Sequence, residues 1–329
     1  MAQDLLLIRH ITFEVIAILG AGMRTGTTFL FGMAASVALV SSLPAQATVV
    51  TISASGTYTN PTTNVTSPRA ATAKFIANDA DYQVAYAAGS VGATPYAAGV
   101  LHFDCSGGVL CIELQNSLDI PGSTADDAVS PPDILTGVFF DLMGLPPAPT
   151  KLSATAEDPL VTVGPGAATV AQPGTNVGAA WAFKYFTTPP ASHAGNFGIA
   201  ASGLGGTFGS GDLFCTPGGP SCPLLPNGNG GTTSGLGGVN FGILPVGDVL
   251  TTGTGGFNNN DPYQKNKAIF RVGNLNLAGF NASWLSNVSF QYGSALDEGI
   301  IPEPGVIALL GMGMVALGAW SSRRRAGRA

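Results

Sequence analysis

Between Thr48 and Pro304 no window of twelve residues repeats its apolar positions at the 3.6-residue period of a helix. Short runs alternate apolar and polar residues instead, and clusters of Gly, Pro, Asn and Asp end each run. That pattern reads as strands separated by turns. Strands are expected at 49–58, 70–76, 82–86, 98–103, 109–115, 134–141, 151–156, 160–163, 177–185, 239–243, 267–272 and 287–291. Period-two alternation gives each strand one apolar face, and such faces are buried by stacking two sheets. The expected fold class is all-β, a single β-sandwich or jelly-roll-like domain over 48–300. Residues 195–238 depart from the pattern: Gly, Pro, Ser, Thr and Asn dominate, interrupted by Phe197, Phe208, Leu213, Phe214, Leu224 and Leu225. A long loop is expected there.

Glycine contributes 46 of 329 residues and charged residues only 10%, unlike a typical cytosolic enzyme. Hydrophobic residues at 45%, grouped in strand-length runs, exclude a disordered chain. From Thr48 to Pro304 there are 7 basic and 17 acidic residues, so this part is more acidic than the whole-chain −6. An acidic surface without basic clusters argues against nucleic acid and anionic membranes as partners. The four cysteines form two close pairs, Cys105/Cys111 and Cys215/Cys222. Their spacing favours two local disulfides; Gly107-Gly108 would close a hairpin in the first loop, and the second is all turn residues. The spacing does not fit a zinc site, which needs closer cysteines and companion histidines.

Both ends carry addresses. Met23-Arg24, an apolar stretch from about Phe29 to Val40, and the small-x-small site Ala45-Gln46-Ala47 form an export signal over 23–47. The mature chain would begin at Thr48. Residues 1–22 contain Asp4, Arg9, His10 and Glu14, which suit no signal peptide, so translation is expected to start at Met23. At the other end, Pro302-Glu303-Pro304 precedes an uncharged stretch from Gly305 to Ser322, then Arg323, Arg324, Arg325 and Arg328. Fifteen apolar residues as a helix span roughly 22 Å, short for a bilayer core of about 30 Å. The arginines place the tail in the cytoplasm and the rest of the chain on the far side.

The Pro-Glu-Pro motif, short Gly/Ala/Leu helix and Arg cluster over 301–329, paired with a signal peptide, resemble the PEP-CTERM sorting signal of Gram-negative bacteria. The resemblance implies an exosortase as partner, transient attachment to the inner membrane through the C-terminal helix, processing near the motif, and delivery to the cell surface or extracellular matrix. Three further blocks, 132–141, 238–243 and 286–293, look like segments of exosortase-dependent surface proteins; they imply a surface protein and no reaction.

Motifs for chemistry are sparse. His102, in a strand pattern, reads as a half-buried structural histidine, and His193 as a loop surface residue; no Gly-x-Ser-x-Gly elbow accompanies either. Asp79/Asp81 and Asp126/Asp127 are the nearest carboxylate pairs for glycoside hydrolysis. Asn78-Asp79-Ala80-Asp81 offers weak Ca²⁺ ligands and reads first as a solvated turn, as does Asn258-Asn259-Asn260-Asp261. No phosphate-binding glycine motif occurs. Asn64, Asn281 and Asn287 begin glycosylation-type tripeptides of little weight in a bacterial protein. Alternation places Trp181, Phe183 and Tyr185 on one face, expected to be core before sugar platform. The expectation is a non-enzymatic surface protein, structural or adhesive and associated with exopolysaccharide, without cofactor or metal. The alternative is a secreted carbohydrate-binding module or glycoside-active enzyme delivered by the same route.

Overall fold

The first alternating run pairs with the second over its whole length. β1 (Thr48–Thr59) lies antiparallel to β2 (Thr66–Tyr86) with no break in register, Thr48 opposite Ala77 and Thr59 opposite Thr66. The computed structural model describes residues 47–59, 66–91, 94–117, 133–143, 149–163, 167–190, 192–201, 207–216, 222, 239–246, 262–293, 296 and 301–302. The remaining strands are β3 (Gly89–Val91), β4 (Thr94–Tyr96), β5 (Gly99–Asn116), β6 (Leu135–Leu142), β7 (Thr150–Ala156) and β8 (Leu160–Val161). They continue with β9 (Thr169–Ala171), β10 (Ala182–Tyr185), β11 (Phe197–Ala200), β12 (Ile243–Leu244), β13 (Tyr263–Lys265), β14 (Lys267–Gly273), β15 (Leu285–Tyr292) and β16 (Ile301–Pro302). Among the described residues the only helical pieces are 3-10 turns such as Ser210–Asp212 and Ala282–Trp284, and the fold is all-β.

One sheet has the order β1-β2-β5-β14-β7 and is antiparallel throughout. The other runs β10-β11-β6-β12-β13-β8-β9, with β15 on β6 and β16 on β15. The two pack face to face in a sandwich-like arrangement. Ala71, Ala73, Phe75 and Ala77 of β2, Leu110, Ile112 and Leu114 of β5, and Ala268, Phe270 and Val272 of β14 share one core with Val138 and Phe140 of β6, Ile199 of β11, and Phe290 and Tyr292 of β15. Phe75 meets Phe140 edge to face across the layers, ring centroids 5.2 Å apart. β1, β2 and β5 follow one another as neighbours in one sheet, a meander rather than the paired Greek keys of a jelly roll.

β2 and β5 each join two runs expected as separate strands. Ala71–Ala77 pairs with Leu110–Asn116 inside the five-stranded sheet, and Asp79–Tyr86 pairs with Gly99–Cys105 as a ribbon beyond it. Between these parts the register jumps. Asn78 (φ 60), Gly107 (φ 60) and Gly108 (φ 85) occupy the left-handed region there, which glycine and asparagine tolerate best. A Cβ on Gly108 would lie 2.5 Å from the Leu275 carbonyl oxygen. The Gly-Gly pair therefore makes a bulge within one strand, not the expected hairpin end. The ribbon folds back over the outer face: its Tyr82, Val84, Leu101 and Phe103 pack on Ile76, Cys111 and Ile269, which point away from the sandwich core. Val91 and Tyr96 of the tip hairpin β3–β4 cluster with Val161, Leu244 and Tyr263 of the second sheet.

Two other expectations are corrected. The 195–238 segment contains strand β11, seated between β10 and β6. Its Gly198 lets the chain lie against Phe139, whose ring would be 2.7 Å from an added Cβ, so small residues build the strand that composition concealed. The run 177–185 is strand only in its second half; Val177 to Ala180 form a turn closed by the Ala180 amide donating to the Val177 carbonyl (2.9 Å).

Candidate functional site

The fold-back of the ribbon buries a charged cluster against the outer face of the five-stranded sheet. Strand register sets Lys74 of β2 opposite Glu113 of β5. Lys74 Nζ donates to Glu113 Oε1 at 2.6 Å, Lys267 Nζ stands 3.8 Å from the same oxygen, and Tyr82 of the ribbon donates its hydroxyl to Oε2 at 2.5 Å. Burial, and then the Glu113 bond, push the Tyr82 hydroxyl far above its ordinary pKa, so it remains a donor. Glu157, just past β7, is 1% exposed, and neither carboxyl oxygen has a hydrogen-bond partner among the described residues. Burial first, and the Glu113 charge second, hold Glu157 well above the usual carboxylate range. Burial also raises its neighbour Asp158, against the bond from Asn266.

An ion-paired carboxyl beside a buried one of raised pKa is an arrangement that acid–base chemistry uses. Here both carboxyls are sealed: Glu113 is 2% exposed and Tyr82 lies across it. In this geometry the cluster pins the ribbon to the sheet. Alternation marks Glu113 as outward-facing in the sequence, but covering of that outward face is a tertiary event.

A second polar cluster lies on the outer face of the other sheet. The segment joining β10 to β11 brings His193 over β6 and β15, where it is buried; the expected surface position is corrected. Its ring stacks on Phe139, centroids 3.8 Å apart. Ser289 and Gln291 are two residues apart on β15 and share a face. His193 Nδ1 lies 2.8 Å from Ser289 Oγ and Nε2 lies 2.9 Å from Gln291 Oε1. Gln291 donates its own amide to the Tyr292 carbonyl, which leaves Oε1 as the acceptor. The network thus assigns the tautomer: Nε2–H donates to Gln291, and Nδ1 accepts from the Ser289 hydroxyl. Burial pulls the imidazole down to about 4, with the Gln291 bond opposing it, so the ring is neutral at pH 7.

A serine donating to a histidine resembles an activated nucleophile. The third partner here is an amide, which cannot stabilise an imidazolium as a carboxylate does. The arrangement is a clasp holding the 186–196 segment on the sheet. Asn196 N extends it by donating to Asp141 Oδ1, as does Asn287 Nδ2 by donating to Asp141 Oδ2.

The sequence-predicted residues fall elsewhere. His102 is in a strand as expected, but its side chain is 59% exposed and pairs through Nδ1 with Asp81 Oδ1 at 2.6 Å, so the half-buried reading is corrected. That bond, and one from Gln83, hold Asp81 below the usual range. Asp79 Oδ1 accepts from the Asp81 amide in an Asx turn at the ribbon bend. Asp79 and Asp81 thus serve the backbone and His102; among the described residues no cluster of His, Cys, Asp or Glu forms a metal-binding group. Trp181 and Phe183 are core, packed on Phe270 and Phe197, while Tyr185 at the rim is 41% exposed. Disulfides join Cys105 to Cys111 and Cys215 to Cys222. Asn281 caps the Ala282–Trp284 turn, and Asn287 sits at a β15 bulge with φ 53. The three blocks resembling surface-protein segments converge: β12, β6 and β15 are adjacent, with Leu135 opposite Ile243 and Phe139 opposite Ser289.

Ala45, Glu303, Pro304, Arg323, Arg324, Arg325, Arg328, Asp126, Asp127, Asn64 and the 258–261 run lie outside the described residues. Among the described residues no helix is long and apolar enough to cross a membrane; the stretch from Gly305 to Ser322 is outside them. No protein-family model matches the chain, and no curated protein or solved structure is significantly similar to it.

Proposed function

We propose that the chain is an exported surface or matrix protein, processed by an exosortase, whose sandwich acts by adhesion or by association with exopolysaccharide. One coincidence carries this reading. β1 begins at Thr48, directly after the expected cleavage at Ala47, and β16 ends at Pro302, the first residue of the Pro-Glu-Pro motif. The described strands thus lie between the two segments whose motifs read as addresses in the sequence. On this reading a signal helix precedes the sandwich, and a membrane helix with an Arg tail follows it until processing. Two local disulfides suit an oxidising compartment. Mass spectrometry of the product from cells with and without an exosortase tests the proposal. A C-terminus truncated near Pro302 only when the enzyme is present is expected; one intact through Arg328 in both strains rejects it. Deleting Arg323–Arg325 is expected to release or mis-sort the product.

The alternative, a carbohydrate-active module delivered by the same route, draws on the unlike surroundings of Glu113, which is paired with Lys74, and Glu157, which is buried without a hydrogen-bond partner among the described residues. It requires the ribbon to lift from Tyr82 outward. Glycan hydrolysis lost in both Glu113→Gln and Glu157→Gln would favour it; no hydrolysis by the wild type across glycan panels would reject it.

A further inference from the structure

Outward positions of neighbouring strands meet at one place on the five-stranded sheet. Register sets Lys74 of β2 opposite Glu113 of β5, and Ile269 of β14 opposite both Glu113 and Thr155 of β7. Just past β7 the Glu157 amide donates to the Lys267 carbonyl at 3.2 Å, so Glu157 continues this outward row beside Lys267. Two covers close over it. The 174–175 segment runs along the edge, the Gly174 amide donating to the Ala156 carbonyl at 2.8 Å and the Ala156 amide to the Thr175 carbonyl at 2.9 Å. The ribbon lies above: Tyr82 bonds Glu113, and Leu101, packed in the Ile269 cluster, reaches to 2.9 Å from the place of a Cβ on Gly174. Under these covers Glu157 is 1% exposed.

The charged and titratable groups that face Glu157 are Lys74 on β2, Glu113 on β5, Lys267 on β14, its neighbour Asp158, and Tyr82 on the ribbon. Both lysines point at Glu113 Oε1, at 2.6 and 3.8 Å. A charge on Glu157 is thus opposed by burial and by Glu113, and the engaged lysines offset this only in part. The cover itself is hinged. Asn78, Gly107 and Gly108 bend it away from the sheet, while the Cys105–Cys111 disulfide and the bonds from Arg271 Nε and Nη2 to the Asp104 carbonyl tether its base. Beyond the base its two strands pair with each other, Tyr82 opposite Phe103 and Val84 opposite Leu101. Its grip on the sheet there is by side chains, and its tip rests on Val161, Leu244 and Tyr263. We propose that the ribbon is a strap released as pH rises: Glu157 gives up its proton to solvent, and the ribbon lifts about its tethered base while the sandwich stays folded. Lifting admits water to the carboxylate, so loss of the proton favours the open form. Below the ordinary carboxylate range both forms hold the proton, and the strap stays shut. The inference concerns the folded domain and stands independently of exosortase processing.

The test is hydrogen exchange of the full-length chain in non-ionic detergent, disulfides intact, from pH 5 to pH 8, with each amide corrected for its intrinsic rate. A two-stranded ribbon is marginal by itself in water, so the amides of 82–86 and 99–103 lose protection once the ribbon lifts. In the wild type they are expected to exchange through a smaller opening than the core amides of Phe75 and Ile112, and to lose up to about tenfold in protection per pH unit, the slope of one proton. Glu157→Gln, an uncharged analogue of the covered acid, should hold ribbon protection nearly level. Tyr82→Phe lacks the bond to Glu113 and should lower protection by a constant factor while keeping the slope. Wild-type ribbon protection that is level with pH, or that falls as steeply in Glu157→Gln, overturns the proposal. So does exchange of ribbon and core amides through one common opening, since the sandwich then unfolds as a whole. If Glu157→Gln fails to fold, the other two proteins decide: a level ribbon profile in both rejects the strap.

Discussion

The His193 clasp makes the protein sensitive to acid, by an amount the structure sets. In the folded chain the imidazole titrates at about 4, against an ordinary value of 6.5. Between those values the unfolded chain binds a proton that the folded chain refuses. Stability therefore rises with pH across the window, and it is lost as pH falls from about 6.5 to about 4. A difference of about 2.5 units corresponds to roughly 3 kcal/mol, a large share of a typical domain's stability of 5–15 kcal/mol. The assay is urea unfolding of the purified chain, disulfides intact, at pH 7.5 and pH 4.0, for wild type and His193→Gln. The variant loses the stack on Phe139 and part of the Ser289–Gln291 network, so it should be less stable at pH 7.5 by about 1–3 kcal/mol. Acidic groups common to both proteins titrate in both. The wild type should thus lose about 3 kcal/mol more than the variant on going to pH 4.0. Equal losses would refute the reasoning, because a histidine that protonates freely in the folded state cannot be sealed in the clasp.

Glu157 acts in the opposite direction. Its folded pKa is raised above the ordinary value of 4.5, so its contribution is full below that pH and is lost as pH rises towards the folded value. Glu157→Gln should therefore be more stable than the wild type in mildly alkaline buffer, with the gap closing below pH 4.5; melting temperatures that differ equally at pH 4 and pH 9 would contradict this. Replacing Cys105 and Cys111 by serine should cost about 2 kcal/mol for so short a loop. Exchange should speed up first in the ribbon, at Val84 and Phe103, because the bond spans the bulge where the ribbon turns back; a rise confined to β14 would locate the constraint elsewhere.

Local alternation foretold five of the longer strands well, although it split β2 and β5 in two. β1, β6, β7, β14 and β15 begin and end within a few residues of the expected runs, because one face of each packs on the common core. Short pieces escaped notice for a physical reason. β11 is Phe-Gly-Ile-Ala inside glycine-rich chain, and β13 is too short to show a period; the run expected at 239–243 is strand only at Ile243, in β12, because Val239 to Gly242 form a turn closed by the Gly242 amide donating to the Val239 carbonyl. Burial of the polar clusters was not legible. Glu113 follows the alternation correctly as an outward residue, and nothing local says that Tyr82 will arrive on top of it. His193 sits among Pro, Ala, Ser and Gly, where a surface loop is the ordinary outcome, until Phe139 and β15 supply the walls of its site.

Sequence by itself determined the all-β class and the pairing of neighbouring cysteines, because each rests on contacts or spacing within a few residues. Tertiary structure alone decided that the ribbon folds back, that Glu157 is buried with its pKa raised, and that His193 stays neutral. Those outcomes depend on which distant strand comes to lie over a given face, and a side chain's solvation is set by that neighbour and not by the residues beside it in the chain.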